Sequence, residues 1–298
     1  MNDFPGISVV VPAYQAENTI EDCILSLLDL QYPKDKLEII VVDNNSNDST
    51  GARIKKYDVN YIFEKNRNAY AARNKGIEIV KYEYIAFTDA DCIVSKDWLC
   101  NMVKHFESKN VGIIGGKILP YSIENDVEKF IDFRKILDQE KMLEKSKFSF
   151  PFCVTANCVV KYSLLKELGG FDTYFKIAGD ADLCWRAFFK GMKTIYAEDS
   201  IVFHKHRNNI RNLYNQSFQY GFGRASLFKK HHKKFGKQVR FDYKEYVFLY
   251  ESIRDLILSF IKLRKPILKK QFLFDIISMS GLTAGKIYGS LKRRTLVF

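Results

Sequence analysis

The amino-acid sequence predicts an α/β fold in which a mainly parallel β-sheet is flanked by helices. Over about the first 90 residues, short apolar runs alternate with segments that have the apolar spacing of amphipathic helices. The apolar runs are nearly continuous, which is typical of strands that are covered on both faces. Polar residues follow the ends of these runs, at the edge where such sheets bind ligands.

The first third of the chain supplies the strand and helix signals in strict alternation. The first strand is β-branched and stops at Pro12, and the second ends at Asp43. A loop rich in Asn, Ser and Asp follows Asp43 and leads into a short helix. The predicted strands are Ile7–Val11, Leu37–Val42, Tyr61–Phe63 and Tyr82–Thr88, and the longer predicted helices are Asn18–Leu30 and Ala69–Val80.

The remaining two thirds are less regular. A strand is expected at Val111–Leu119, a single helix at Asn125–Leu143, and a strand at Ser200–Phe203. Two amphipathic helices are expected beyond Tyr246, one of them spanning about Phe272–Leu291. The other carries its apolar residues at Ile253, Leu256, Ile257, Phe260 and Ile261.

The net charge of +12 over 298 residues is unevenly distributed. Residues 1–203 hold 26 Lys and Arg against 30 Asp and Glu, whereas residues 204–298 hold 21 against 5. A basic tail of this kind indicates an anionic partner: nucleic acid, lipid headgroups or a phosphorylated substrate. The basic clusters are Lys229–Lys234, Lys262–Lys270 and Lys292–Arg294.

Cysteine usage and hydropathy indicate a cytoplasmic protein. The six cysteines have no zinc-site spacing and are expected to be reduced thiols. The charge-free apolar run Ile276–Gly285 in the C-terminal third is only ten residues long, whereas a membrane-spanning helix needs about 20 residues. The N-terminal apolar run is too short for a signal peptide. Attachment to the inner face of the cell membrane stays open.

Carboxylates follow three of the predicted strands. Glu17 follows the first, Asp43 the second, and Asp89 and Asp91 the fourth. Each could be a cap or a turn residue, but three acidic strand ends on one rim repel one another unless a cation or a ribose hydroxyl lies between them. Asp89-Ala90-Asp91 is the sharpest group, since two carboxylates flanking a small residue can share a hard cation such as Mg²⁺ or Mn²⁺. The alternative is a turn in which Asp91 or Ser95 caps the helix that contains Trp98.

A second acidic pair, Asp180 and Asp182, precedes a helical stretch at Leu183–Lys190. One of the two could cap that helix, and the other would then lie ionised at a helix N-terminus. An ionised carboxylate facing a cleft is a candidate general base, and the spacing does not say which Asp has which role. His204 follows the last predicted strand and could add a nitrogen ligand to the cation.

Taken in order, these motifs resemble the inverting glycosyltransferases of family 2, which have the GT-A fold. The resemblance covers about residues 6–225. Two departures stand out: Gly179 replaces the Glu that usually precedes the catalytic Asp, and Asn68 stands where Gly is frequent. The matching segments are Val9–Tyr14, Val41–Ser46 with Asp48–Thr50, Asn66–Arg67 with Ala71–Gly76, Asp89–Asp91, Asn157, Gly169–Asp172, Asp180–Leu183 with Arg186, His204 and Tyr220–Gly221.

The resemblance implies a GT-A catalytic domain at residues 1–225 and a basic, helical C-terminal extension at residues 226–298. It also implies a metal-dependent, inverting transfer of one sugar from a nucleotide-diphospho-sugar to an acceptor hydroxyl. The expected metal ligands are Asp91 and His204, for Mn²⁺ or Mg²⁺, and the expected base is Asp180. The expected donor-binding residues are Pro12, Ala13, Tyr14, Glu17, Asp43, Arg73, Asp89 and Ala90. The acceptor side is expected to hold Asn157, Asp182 and Arg186.

The acceptor is expected to be a glycan or a lipid-linked saccharide, presented at an anionic membrane surface that residues 226–298 contact. A solvated basic face packed on the catalytic domain is the alternative, and a homodimer interface can coexist with either. The chain lacks the Gln-x-x-Arg-Trp motif of the processive synthases, so we expect one transfer per encounter.

Three other functions are less compatible with the sequence. No nucleic-acid-binding signature accompanies the positive charge, so no nucleic-acid partner is expected. A nucleotidyltransferase would need a glycine-rich basic loop after the first strand, which Pro12–Ala16 lacks. A non-catalytic sugar-nucleotide-binding protein would need no base such as Asp180. The donor sugar, the acceptor and the oligomeric state are not determined by the sequence.

Overall fold

The computed structural model of the chain describes residues 4–107, 110–144, 149–235, 243–260 and 269–295. These residues form two compact units. Unit 1 comprises residues 1–121, 137–145 and 150–205, and unit 2 comprises 122–136, 146–149 and 206–298. The boundary predicted between residues 225 and 226 falls inside a continuous helix of unit 2, so the assignment of residues 1–225 as the catalytic domain stays a prediction.

Unit 1 is built on a sheet of eight strands among the described residues, in the order β3-β2-β1-β4-β7-β6-β8-β5. The first four positions are parallel, and the rest mix antiparallel and parallel pairs. Four of these seven strand pairs are parallel, in agreement with the predicted mainly parallel sheet. The strands are β1 (Ile7–Ala13), β2 (Leu37–Asp43), β3 (Asn60–Phe63), β4 (Tyr84–Phe87), β5 (Cys92–Val94), β6 (Val111–Pro120), β7 (Cys158–Lys161) and β8 (Lys193–His204).

Helices cover this sheet, and together they bury a core of aliphatic side chains centred on β1, β2 and β4. Ile20, Ile24 and Leu27 have no exposed surface, as expected of the apolar face of an amphipathic helix. The helices of unit 1 are α1 (Ile20–Leu28), α2 (Thr50–Ile54), α3 (Ala69–Ile77), α4 (Trp98–Val103), α6 (Gln139–Met142), α7 (Tyr162–Leu168) and α8 (Gly179–Phe189).

The single helix predicted at Asn125–Leu143 is wrong, because the chain there forms two short helices, α5 (Asp126–Phe133) in unit 2 and α6 in unit 1. Asn125 begins α5 with a capping box that also uses Glu128. After α5, Lys135 adopts a positive φ of 50°, which an α-helix does not accommodate.

Unit 2 is helical, with α5, α9 (Ile210–Phe235), α10 (Tyr243–Phe260) and α11 (Lys269–Arg293). Helices α9 and α11 pack closely at Gly285 of α11. A Cβ at this position would clash with the backbone of Phe218 in α9, so only glycine permits the approach. Ile261 and most of the predicted basic cluster Lys262–Lys270 lie outside the described residues. No helix in the described part of the chain is both long and apolar enough to cross a membrane.

Candidate active site

The carboxyl ends of three neighbouring parallel strands bring most of the predicted site residues to one edge of the sheet. Ala13, the last residue of β1, lies in register with Asp43, the last residue of β2. On the other side of β1, Val10 pairs with Phe87 of β4, so Asp89 follows two residues beyond that strand. The shared direction of β1, β2 and β4 thus places their polar continuations side by side.

The Asp43 carboxyl is buried and already hydrogen-bonded. Its Oδ1 accepts from the backbone N–H of Ser46 at 3.0 Å, and its Oδ2 accepts from the Tyr61 hydroxyl at 3.2 Å. Burial raises the pKa of Tyr61, and the Asp43 charge adds to that shift, so the phenol keeps its proton. Asp43 is therefore a fixed acceptor with lone pairs left for a ligand donor.

The loop after β1 is tied to the loop after β2. The Glu17 carboxylate accepts from both the backbone N–H and the hydroxyl of Ser49, at 3.2 and 2.8 Å. The backbone N–H of Ala16 donates to the Thr50 hydroxyl at 2.8 Å. Tyr14 is about half exposed, and the Arg67 guanidinium lies 5.6 Å from the centre of its ring. This loop can present an aromatic face to a flat ligand.

Small residues complete the strand edge beside these side chains. Ala13 has no exposed surface and Ala90 is buried, while Pro12 is partly exposed and lies in register with Val42 of β2. Ala90 lies between Asp89 and Asp91 and adds only a methyl group at that position.

Arg73 of α3 is directed to Asp89. The residue is 4% exposed, and its guanidinium donates to Asp89 Oδ1 at 2.5 Å. It also lies near the rings of Tyr70 and Phe171, at 5.6 and 6.0 Å from their centres. The Arg73 Nε has no hydrogen-bond partner among the described residues. Arg73 therefore orients the Asp89 carboxylate, and its Nε–H is available to donate to a ligand.

Asp91, Cys92 and His204 offer ligand atoms that all lie within 4.8 Å of one another. The antiparallel register of β5 with β8 pairs Cys92 with His204, and Lys205 N–H donates to the Asp91 carbonyl. His204 Nε2 lies 3.6 Å from Asp91 Oδ1. A carboxylate oxygen and an imidazole nitrogen at this spacing can both bind one divalent cation. Asp91 and His204, the predicted ligands, therefore fit a divalent cation.

Cys92 is the member of this cluster that the sequence did not indicate. Its thiol is buried, and burial raises its pKa well above the ordinary value, with Asp91 adding to the shift. A soft sulfur ligand is also a poor match for Mg²⁺ or Mn²⁺. Its adjacency to Asp91 was the one available signal, since the pairing with His204 depends on strand register.

Asp180 lies in the first turn of α8, preceded by Ala178 in a left-handed conformation with φ 66°. Its Oδ1 accepts from the backbone N–H of Ala181 at 2.9 Å and lies 3.5 Å from the Tyr70 hydroxyl. Burial raises the pKa of the Asp180 carboxyl, opposed in part by the Ala181 N–H and by Arg73. A carboxylate with a raised pKa is a better proton acceptor than an ordinary Asp.

The three residues expected on the acceptor side have protein partners. Asp182 is fully buried and accepts from Arg186 Nε at 2.8 Å. The same guanidinium donates to the carbonyls of Leu168 and Gly170, at 2.6 and 2.7 Å. Asp182 and Arg186 thus join α8 to the turn after α7. Contact of either residue with an acceptor stays a prediction.

Asn157 is likewise fully buried. Its Oδ1 accepts from the Trp98 indole at 2.8 Å, and its Nδ2 donates to the carbonyls of Lys117 and Ser200 at 2.8 and 2.9 Å. The side chain thereby joins α4, β6 and β8. Its predicted role at the acceptor also stays a prediction.

Comparison with known proteins assigns this fold and motif order to a family. The family model described as glycosyl transferase family 2 matches residues 8–169. The curated glycosyltransferase AglE of Haloferax volcanii is 27% identical over 75% of this chain and 74% of its own length. The pre-mycofactocin glycosyltransferase of Mycobacterium tuberculosis is also 27% identical, but the chain spans only 48% of that protein.

Solved structures show the same fold. A mannosyltransferase from Pyrobaculum calidifontis in complex with GDP-Man and Mn²⁺ matches 97% of this chain and 88% of its own, with a TM-score of 0.69 and 20% identity. Residues 1–349 of S. aureus TarS match with a TM-score of 0.52 and 14% identity, over 97% and 92% of the two chains. The predicted GT-A type of α/β fold, with helices at the C-terminus, is confirmed. The chain belongs to glycosyl transferase family 2, and the predicted enzyme class, a glycosyltransferase, is confirmed.

Proposed function

We propose that this chain is a divalent-cation-dependent, inverting glycosyltransferase that moves one sugar per encounter from a nucleotide-diphospho-sugar to an acceptor hydroxyl. The observation that carries the proposal is the placement of Asp89, Asp91 and His204 at one edge of the sheet, with Asp180 on the neighbouring helix α8. The complexes of two fold neighbours with GDP-Man and with UDP-GlcNAc support a nucleotide-diphospho-sugar as the donor.

The donor's nucleotide would lie along the ends of β1 and β2. Asp43 would accept a hydrogen bond from the base, and Tyr14 would offer its exposed ring for stacking. Asp89, held by Arg73, would accept from a ribose hydroxyl. Pro12, Ala13, Glu17 and Ala90 would shape this part of the pocket.

Asp91 and His204 would hold the divalent cation, which on binding would neutralise negative charge on the diphosphate leaving group. Asp180 would accept the proton of the acceptor hydroxyl as that oxygen attacks the anomeric carbon. Because the attack comes from the face opposite the diphosphate, the configuration at that carbon inverts. A positioned base of this kind contributes about 10²–10⁴-fold to the rate.

The acceptor in this proposal is a glycan or lipid-linked saccharide, and unit 2 contacts an anionic membrane at the cytoplasmic face. The support comes from α10, where one face exposes large apolar side chains: Val247, Tyr250, Ile253 and Ile257 are 42–66% exposed. The basic residues of the same unit would add electrostatic attraction to anionic lipid, about 1 kcal/mol for each one near the surface.

The donor and cation are tested by calorimetry with a panel of UDP- and GDP-sugars, with and without Mn²⁺. We expect one donor to bind, only with Mn²⁺, and Asp91→Ala to abolish this binding. Cys92→Ala is the matched control at the neighbouring position and should bind like wild type. Asp180→Asn should bind the donor and lose its turnover, including slow hydrolysis by water. Failure of every donor to bind in either condition would refute the proposal.

Membrane contact is tested by sedimentation with vesicles of pure phosphatidylcholine or with added phosphatidylglycerol. Ile257→Asp should weaken binding to the anionic vesicles severalfold. Ile79→Asp, which changes an exposed isoleucine of unit 1, should not. Equal binding of both variants and wild type would contradict this part of the proposal.

A further inference from the structure

The ring of Tyr70 occupies the space beside Asp180 that a side chain at position 179 would need. A Cβ on Gly179 would lie 2.7 Å from both Cε2 and Cζ of Tyr70, closer than real Cβ contacts allow. Glycine at 179 and tyrosine at 70 are therefore a matched pair. The absence of a side chain at 179, seen in the sequence as a departure from the family pattern, is what admits the Tyr70 ring.

The Tyr70 hydroxyl faces both residues at the start of α8. The backbone N–H of Gly179 donates to it at 2.7 Å. A phenol has one hydrogen, and since the Gly179 contact uses an acceptor lone pair, this hydrogen is left for Asp180 Oδ1 at 3.5 Å. Hydrogen bonds of catalytic groups are often long without substrate and shorten when it binds.

Tyr70 itself is held on all sides. It is 4% exposed, and its ring stacks on Phe171 at 5.6 Å between centres. The Asn68 side chain caps α3 by accepting from the Tyr70 N–H at 2.8 Å, and it also donates to the carbonyls of Thr173 and Phe175. The Tyr70 hydroxyl therefore has a fixed position beside the Asp180 carboxyl group.

Burial raises the pKa of Tyr70 well above its ordinary value, and the Asp180 charge adds to the shift. The phenol therefore stays protonated, and remains a donor, while Asp180 passes from its neutral to its ionised form. A donor at this position favours the charged form of the carboxyl and opposes the effect of burial.

We propose that Tyr70 is a positioning residue for Asp180, with its hydroxyl orienting the carboxylate that accepts the acceptor's proton. This inference rests on the proposed function, in which Asp180 is the general base. The residue acts through Asp180 and needs no contact with the donor. Its loss should therefore affect turnover and not donor binding.

The test uses Tyr70→Phe, which keeps the ring and removes the hydroxyl. Donor affinity measured by calorimetry with Mn²⁺ should stay within about twofold of wild type, while kcat should fall about tenfold or more, within the range that a general base contributes. The acidic limb of the kcat–pH profile should move to higher pH by about half a unit or more, because Asp180 loses a donor to its ionised form.

The matched control is Tyr32→Phe in the same unit. Tyr32 is also buried, and its hydroxyl donates to the Pro5 carbonyl at 2.5 Å, remote in sequence from the site. This variant should lose some thermal stability, as Tyr70→Phe also should, but keep the wild-type kcat and pH profile. A Tyr70→Phe enzyme with wild-type kcat and an unshifted profile would overturn the inference.

A second readout does not depend on sugar transfer. The Asp180 carboxyl carbon, followed by ¹³C NMR with assignment from Asp180→Asn, should titrate at higher pH in Tyr70→Phe than in wild type. An unchanged titration would overturn the role of Tyr70 even if transfer occurs. A shifted titration in a protein that binds no donor and hydrolyses none would refute the proposed function and leave the Tyr70–Asp180 contact established.

Discussion

Arg186→Met tests whether the Asp182–Arg186 pair holds α8 in place. The substitution keeps an apolar side chain of similar length and removes the guanidinium. It leaves Asp182, which has no exposed surface, without its arginine, and it removes donors from the carbonyls of Leu168 and Gly170. Removing one partner of a buried ion pair costs about 3–5 kcal/mol. The two carbonyls belong to partly exposed residues that water can reach, so they add little to this value.

Tryptophan fluorescence during urea unfolding is the suitable assay. The chain has two tryptophans, Trp98 and Trp185, and both lie in unit 1. Their emission therefore follows the unit that contains the substitution and is not affected directly by unit 2. With a urea dependence of about 1–3 kcal/mol per M, the midpoint should fall by at least about 1 M.

Two further variants make the result specific to the buried pair. Lys190→Met breaks the exposed Lys190–Glu167 pair near the end of the same helix and should cost less than about 1 kcal/mol. Asp182→Leu combined with Arg186→Met removes both charges and should recover much of the stability. A wild-type midpoint for Arg186→Met, together with lost turnover, would refute this reasoning and favour direct contact of Arg186 with the acceptor.

For three other substitutions, the structure gives the direction of the expected change in stability. Asp180→Asn should lose transfer and raise the unfolding temperature at neutral pH. The pKa of Asp180 is raised in the folded state, so its charge destabilises the fold as pH rises above the pKa of the unfolded chain. Equal melting temperatures at pH 4 and at pH 7 in both proteins would contradict this. Burial acts to raise the pKa of Glu245, but Arg224 and Lys286 lower it overall, so its stabilising contribution is present above the unfolded value of 4.5 and is lost as pH falls through the folded value. Glu245→Gln should therefore flatten the acid side of the stability–pH curve of the helical unit, followed by circular dichroism at 222 nm, and an unaltered curve would count against the ion pairs. Gly285→Ala should destabilise the packing of α9 on α11 by about 1–3 kcal/mol, measured by thermal unfolding, since the added Cβ meets α9 backbone; an unchanged melting temperature would show that the helices separate at no cost.

The sequence predicted the parallel half of the sheet well, because each of those strands is a nearly continuous apolar run that ends at a polar residue. That pattern also located Asp43, Asp89 and Asp91 at one edge, since parallel strands end on the same side. The antiparallel half could not be predicted in the same way. The pairing of Cys92 with His204 depends on a register between distant segments, which no local pattern specifies.

The site residues differ in how visible they are in the sequence. Asp182 and Arg186 are four residues apart on a helix, so their spacing alone predicts an ion pair, which is an alternative to a role in acceptor binding. The contact of Asn157 with Trp98 joins residues 59 positions apart and left no such signal. Tyr70 looks like an ordinary core aromatic on α3, and only the missing side chain at Gly179 indicates the space that its ring fills.

The position of His204 at the end of β8 has a consequence for folding. Strands β1, β2 and β4 can pair as soon as the first 90 or so residues are available, whereas the partner of β5 in the described part of the chain is β8, about a hundred residues later. Closing so long a loop is slow, because its entropic cost precedes the contacts that compensate for it. During synthesis, the sheet edge that carries Asp43 and Asp89 can therefore form early, while Asp91 and His204 come together among the last contacts of unit 1. A chain interrupted before β8 would lack His204 and so could not form the cation site proposed above.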